Sequence, residues 1–125
     1  MTAVLSIQSS VVYGHVGAQA GGFALQRQGI DVWSLPTVQL SAHAGYPGVK
    51  GRRMAPEEVR ALGEGLAAHG ALARADAVMT GYLGSTETAA AVLDILDAIR
   101  TQKDLTPEIE EKLKAFLDRF VKSFS

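Results

Sequence analysis

The chain has 125 residues, of which 47% are hydrophobic and 20% charged, the composition of one soluble globular domain long enough to bury its own core. It contains no cysteine, which excludes thiol catalysis, zinc–cysteine sites and iron–sulfur clusters and fits a reducing compartment, so a cytoplasmic location is expected. Twelve Lys and Arg against thirteen Asp and Glu leave a net charge of -1, which offers no global attraction to nucleic acid or to an anionic membrane.

The N-terminus lacks a basic start followed by a long apolar run, and no stretch reaches the roughly 20 apolar residues of a spanning helix. Ala3-Val4-Leu5-Ser6-Ile7 is short, apolar and partly β-branched, and Gln8-Ser9-Ser10 after it is polar. This reads as a buried strand with a loop at its C-terminal end. Residues 17–27, rich in small side chains and followed by Gly29, predict a helix packed closely on a sheet. Residues 30–35 alternate apolar and polar and stop at Pro36, as a second strand would. From 37 to 54 the turn residues Gly45, Pro47, Gly48 and Gly51 interrupt short apolar pieces; a loop or small hairpin lying over something is expected. Pro56-Glu57-Glu58 opens a helix to about His69, residues 75–80 form a third strand, and residues 85–100 a further helix. The order βαβ, flap, αβα predicts an α/β fold with a parallel sheet of about three strands flanked by helices.

The last 26 residues differ in character. All thirteen glycines lie at or before Gly84, whereas six of the twelve basic residues fall between Arg100 and Ser125. The expected organisation is therefore an α/β domain over 1–99 and a helical segment over 100–125. Thr106 suits an N-cap and Pro107 the position after it, with Glu108, Glu110 and Glu111 near the positive end of the helix dipole. Ile109, Leu113, Phe116, Leu117, Phe120, Val121 and Phe124 recur at helical spacing. That amphipathic face either closes the core of this domain or docks on a partner.

Ser9 and Ser10 end the first strand with Gly14 and Gly17 nearby, where a ligand could approach the backbone; an ordinary strand-to-helix loop would look the same. Neither G-x-G-x-x-G nor a P-loop is present. Of His15, His43 and His69, only His43 sits in the irregular stretch among small residues, as a flap residue or as a loop histidine without function. The carboxylates and imidazoles show no metal-ligand spacing. Tyr82, in Thr80-Gly81-Tyr82-Leu83-Gly84-Ser85, could stack on a flat ligand, and Ser85 could cap the helix that follows. Lys50, Arg52 and Arg53 form a small basic cluster, a solvated loop face or a phosphate contact.

Taken together, Val4 to Ser9, Val11-Val12-Tyr13-Gly14-His15-Val16-Gly17, Leu35 to Ser41, His43, Gly45-Tyr46 and Thr80 to Ser85 resemble the N-terminal part of the pyridoxal kinases, in the ribokinase-like superfamily, over residues 3–97. The resemblance implies a three-layer α/β domain in which Ser9 bonds the pyridine nitrogen of vitamin B6, Val16 and Tyr82 line the ring pocket, and His43 belongs to a flap over the substrate. The family usually has His where Ser10 stands, Asn and Thr where Ala42 and Ala44 stand, and Asn where Ala18 stands. Ala44 replaces a threonine expected to bond the ring hydroxyl. The family's Gly-Thr-Gly-Asp anion hole, its catalytic aspartate and its MgATP site have no counterpart here. The chain alone is therefore expected to bind no cofactor and transfer no phosphate.

Residues 93–125, through the run Ile99-Arg100-Thr101-Gln102-Lys103-Asp104-Leu105-Thr106, resemble the extreme C-terminus of the ATP synthase alpha subunit, which implies a structural helix and a possible fusion of unrelated pieces. Two readings follow. The first is a pyridoxal-kinase-like half-domain that keeps part of the pocket for pyridoxal or a related vitamer. The second is a chimeric structural or assembly module without a retained ligand, whose open sheet edge would favour a homo-oligomer.

Overall fold

In the computed structural model, which describes residues 1–102 together with 111, 115 and 119, the apolar N-terminal run forms strand β1, Ala3–Val11. It is longer than the predicted strand because the polar triplet does not turn away. Gln8 Nε2 donates to Ser6 Oγ at 2.9 Å, and the Gln19 amide serves both Ser10 Oγ (2.8 Å) and the Val11 N–H (3.0 Å). With these groups satisfied, Val11 returns the strand to the interior. Ser9 thus lies within a strand and not in a loop.

Helix α1, Ala18–Gln26, lies on one face of the sheet. Its small residues permit close approach: a side chain at Gly21 would meet Met79 Cε at 3.0 Å and Gln8 Nε2 at 3.3 Å. Strand β2, Asp31–Leu40, runs through Pro36 instead of stopping there. Proline cannot donate to a ladder, and the register between β1 and β2 shifts just after it, between Gln8 and Ser10. The irregularity takes up the missing donor and lets Val38 and Leu40 continue the strand.

The flap returns as a short strand β3, Gly51–Arg53, antiparallel to β2. Helices α2, Pro56–Ala68, and α3, Ala71–Arg74, follow, then strand β4, Ala77–Thr80, and helix α4, Thr86–Gln102. The four-stranded sheet has the order β3-β2-β1-β4, with β1 parallel to both β2 and β4. The three expected strands are parallel, and the flap adds a fourth that is not.

The core lies between the sheet and α2, α3 and α4. Leu5, Ile7 and Leu35 pack there against Val59, Leu72, Val92 and Ile95. Helices α2 and α4 approach closely at Gly63, where an added Cβ would stand 2.6 Å from Ile95 Cγ1. With α1 opposite, the protein has the three layers expected of an α/β fold. Ser85 caps α4 as expected, accepting the Thr88 N–H at 3.1 Å. Helix α4 runs unbroken through Ile99 to Gln102. The Thr106 cap and the apolar face from Ile109 to Phe124 lie outside the described residues. Among the described residues no helix is long and apolar enough to cross a membrane.

Candidate functional site

Parallel strands leave their C-terminal ends at one edge of the sheet, and the loops that leave them converge there. A cavity of about 210 Å³ opens at that edge. Ser9 and Val11 of β1 and Val38 and Leu40 of β2 form its floor, and Val16, His43, Ala44 and Tyr82 close it from the loops. All four predicted site residues, Ser9, Val16, His43 and Tyr82, meet in this one cavity.

Each is placed by a local device. Ser9 lies at the register shift, so its side chain is set apart from the regular ladder, and its hydroxyl makes no hydrogen bond within the described residues. Gly17 has φ +57, and a Cβ there would collide with the Ser9 carbonyl and lie 2.9 Å from Ser9 Oγ. Only glycine meets both conditions. Tyr82 is held by its backbone: the buried Thr37 hydroxyl donates to the Tyr82 carbonyl at 2.6 Å. His43 Nδ1 accepts the Gly45 N–H at 3.1 Å, which leaves Nε2 to carry the proton. The flap itself is tied down where Lys50 N donates to Ser41 Oγ and where the Tyr13 and Tyr46 rings meet edge to face at 5.9 Å.

The two arginines of β3 have different partners. Arg52 grips Glu58 through two hydrogen bonds of 2.7 and 2.9 Å. Hydrogen bonding from Arg52, then from the Ala55 N–H, draws the Glu58 carboxyl down to about 2, and the same pair raises the Arg52 pKa. Arg53 instead reaches toward Tyr82, with Nη2 3.5 Å from the hydroxyl.

The other histidines stand apart. His15 lines a larger groove between α1 and β2 with Phe23 and Val32, and His69 lies with Trp33 and Arg74 at another cavity. Among the described residues no group of three or more His, Asp or Glu could hold a metal ion. Sequence reasoning missed Val11, Val38 and Leu40 as walls, and Thr37 and Gln19 as positioning residues. The apolar spacing of Val38 and Leu40 beyond Pro36 was the available signal.

The arrangement is an apolar slot with a free hydroxyl at its floor, an imidazole N–H on its flap and an aromatic ring at its rim. No protein-family model matches the chain. Pyridoxal kinase PdxY of Paraburkholderia phymatum is 47% identical over 100 residues, which cover 80% of this chain and 35% of that protein. The PdxY of Pseudomonas aeruginosa is 46% identical over 97 residues, 78% of this chain and 34% of that one. Four-fifths of the chain is pyridoxal-kinase-like. Among solved structures, pyridoxal kinase from Trypanosoma brucei matches with a TM-score of 0.79 at 39% identity, over 82% of this chain and 37% of that one. The pyridoxal kinase from Leishmania donovani in complex with ADP and pyridoxamine gives 0.70 at 44% identity, over 81% and 37%. The α/β fold is thus that of the pyridoxal kinases, and the chain spans about a third of the length of the curated relatives it matches.

Proposed function

We propose that residues 3–97 are the vitamin-B6-binding part of a pyridoxal kinase-like protein, and that the cavity holds the pyridine ring of pyridoxal or a related vitamer. The observation behind this is the convergence of Ser9, Val16, His43 and Tyr82 from four separate segments on one cavity. The unpartnered Ser9 hydroxyl donates to the ring nitrogen. Val16 and Tyr82 sandwich the ring faces, and His43 Nε2–H reaches a ring substituent from the flap. Ala44 offers only a methyl group at the wall, so the ring hydroxyl finds one partner fewer and binding is weak.

The Gly-Thr-Gly-Asp sequence does not occur in the chain, and in this reading the MgATP site lies with it outside residues 3–97. Phosphoryl transfer depends on charge stabilisation around the transferred group, so in this reading the chain alone binds without turnover. The composition break after Ile99 then marks the start of a foreign C-terminal helix, similar to the end of the ATP synthase alpha subunit. A second reading, an assembly module without a ligand, is favoured by one feature: β4 is an edge strand that pairs with β1 alone among the described residues, and open edges promote self-association.

Titration of the purified chain with pyridoxal, followed by Tyr and Trp fluorescence with MgATP added last, separates the two. Saturable binding that is lost in Ser9→Ala and Tyr82→Ala, with no pyridoxal phosphate formed, is the expected result. Absence of binding by a cooperatively folded chain would overturn the vitamin B6 reading, and formation of pyridoxal phosphate would overturn the predicted inactivity.

A further inference from the structure

The ring pocket has a charged neighbour that the binding of a free vitamer leaves unused. Two arginines end the flap, and they differ in surroundings. Arg52 is neutralised by Glu58, whereas Arg53 has no carboxylate partner among the described residues. The Arg53 stem lies against Gly84, near the position a Cβ would take there, and its Nη2 stands 3.5 Å from the Tyr82 hydroxyl. Arg53 is also the cross-strand partner of Val38, and partners in a ladder project from the same face of the sheet. Val38 and Tyr82 both line the pocket. The Arg53 side chain therefore starts on the pocket face and ends at the pocket rim.

The walls beneath are apolar, formed by Val11, Val16, Val38 and Leu40. An anionic group bonded directly to a ring in that slot would lose its water without gaining a partner. An anion on a short methylene–oxygen arm reaches the rim, where a guanidinium offers a planar fork matched to phosphate oxygens. We infer that Arg53 makes this pocket selective for a pyridine ring that carries a phosphate monoester arm, so that the phosphorylated vitamer is held more tightly than the free one. This rests on the vitamin B6 reading above and names a ligand class within it.

Calorimetric titration with pyridoxine and pyridoxine 5′-phosphate tests it, since neither has an aldehyde that condenses with lysine. The phosphate ester is expected to bind about tenfold more tightly, the effect of one added charge-assisted hydrogen bond. Arg53→Gln should bring the two dissociation constants together, while Arg52→Gln, with the same change in net charge, should preserve the difference. Equal or weaker binding of the phosphate ester by the unmodified chain overturns the inference and leaves the vitamin B6 reading standing. A preference that survives in Arg53→Gln overturns the role of Arg53. If neither compound binds the folded chain, both the inference and the reading beneath it fail.

Discussion

Gly17 lies directly over Ser9: a methyl group at Gly17 would stand 2.9 Å from the Ser9 hydroxyl oxygen and would collide with the Ser9 carbonyl. The helix-entry glycine and the strand serine therefore fit only as a pair. Gly17→Ala should destabilise the protein by about 1–3 kcal/mol, from the positive φ as well as the collision. It should also weaken pyridoxal binding beyond the loss seen in Ser9→Ala alone, because Ser9 is pushed out of register. Thermal melts with matched titrations measure both, and an unchanged melting temperature would show that the loop relaxes freely.

Thr37 acts on the site at one remove. It is fully buried, and its hydroxyl ties the β2 irregularity to the Tyr82 carbonyl. Thr37→Val keeps the shape and removes the donor, leaving that carbonyl short of a partner at a cost of about 1–2 kcal/mol. Pyridoxal affinity should fall with stability, and Thr37→Ser should restore affinity more fully than stability, since it returns the hydroxyl but not the methyl. If Thr37→Ser binds no better than Thr37→Val, the hydroxyl does not position Tyr82.

Ala44 lines the cavity, and in the proposed binding mode it offers the ring hydroxyl no partner. Ala44→Thr should tighten pyridoxal binding by about 0.5–1.5 kcal/mol, roughly two- to tenfold. The Ala44 side chain is exposed, so stability should move little. A fall in affinity would mean that the added methyl fills space the ring needs.

The pH dependence of the flap anchor follows from Glu58. Its pKa is lowered from 4.5 to about 2 by the Arg52 hydrogen bonds and the Ala55 N–H. A carboxyl with a depressed folded-state pKa contributes stability that is fully present above its unfolded value, and this is lost as pH falls through the folded value. The contribution should therefore fade between pH 4.5 and about 2. It should be small, because both side chains face solvent. Melting temperatures of the unmodified chain and Glu58→Gln, measured across that window, should converge toward acid; parallel curves would show that the pair does not anchor β3 to α2.

The three parallel strands could be read from residue patterns, because buried β-branched runs leave strong local signals; the grouping of Ser9, Val16, His43 and Tyr82 comes only from the resemblance to the pyridoxal kinases. Strand ends could not be read from such patterns. The polar run Gln8-Ser9-Ser10 reads as a loop until Gln19, eight residues beyond Val11 and on another element, supplies the hydrogen bonds that keep it extended. Pro36 reads as a stop until the register shift opposite Ser9 absorbs its missing donor. Both corrections depend on contacts between elements, which local propensity does not carry. Val38 and Leu40 share this cause: a strand that ends at Pro36 leaves them in the irregular stretch, with no sheet face to place them on the cavity.

The sheet order also sets a timetable for assembly. β1 precedes both of its neighbours in the chain, and they follow at very different distances: β2 soon after it, and β4 only after two more helices. The bond from Ala3 N–H to the Asp76 carboxylate spans 73 residues, a closure that nascent chains reach late. Until then the inner strand has one bare side, and Tyr82 is not yet beside Ser9. The pocket comes into being only when β4 pairs with β1, so a ligand that binds it would register that long-range pairing and not the earlier one with β2.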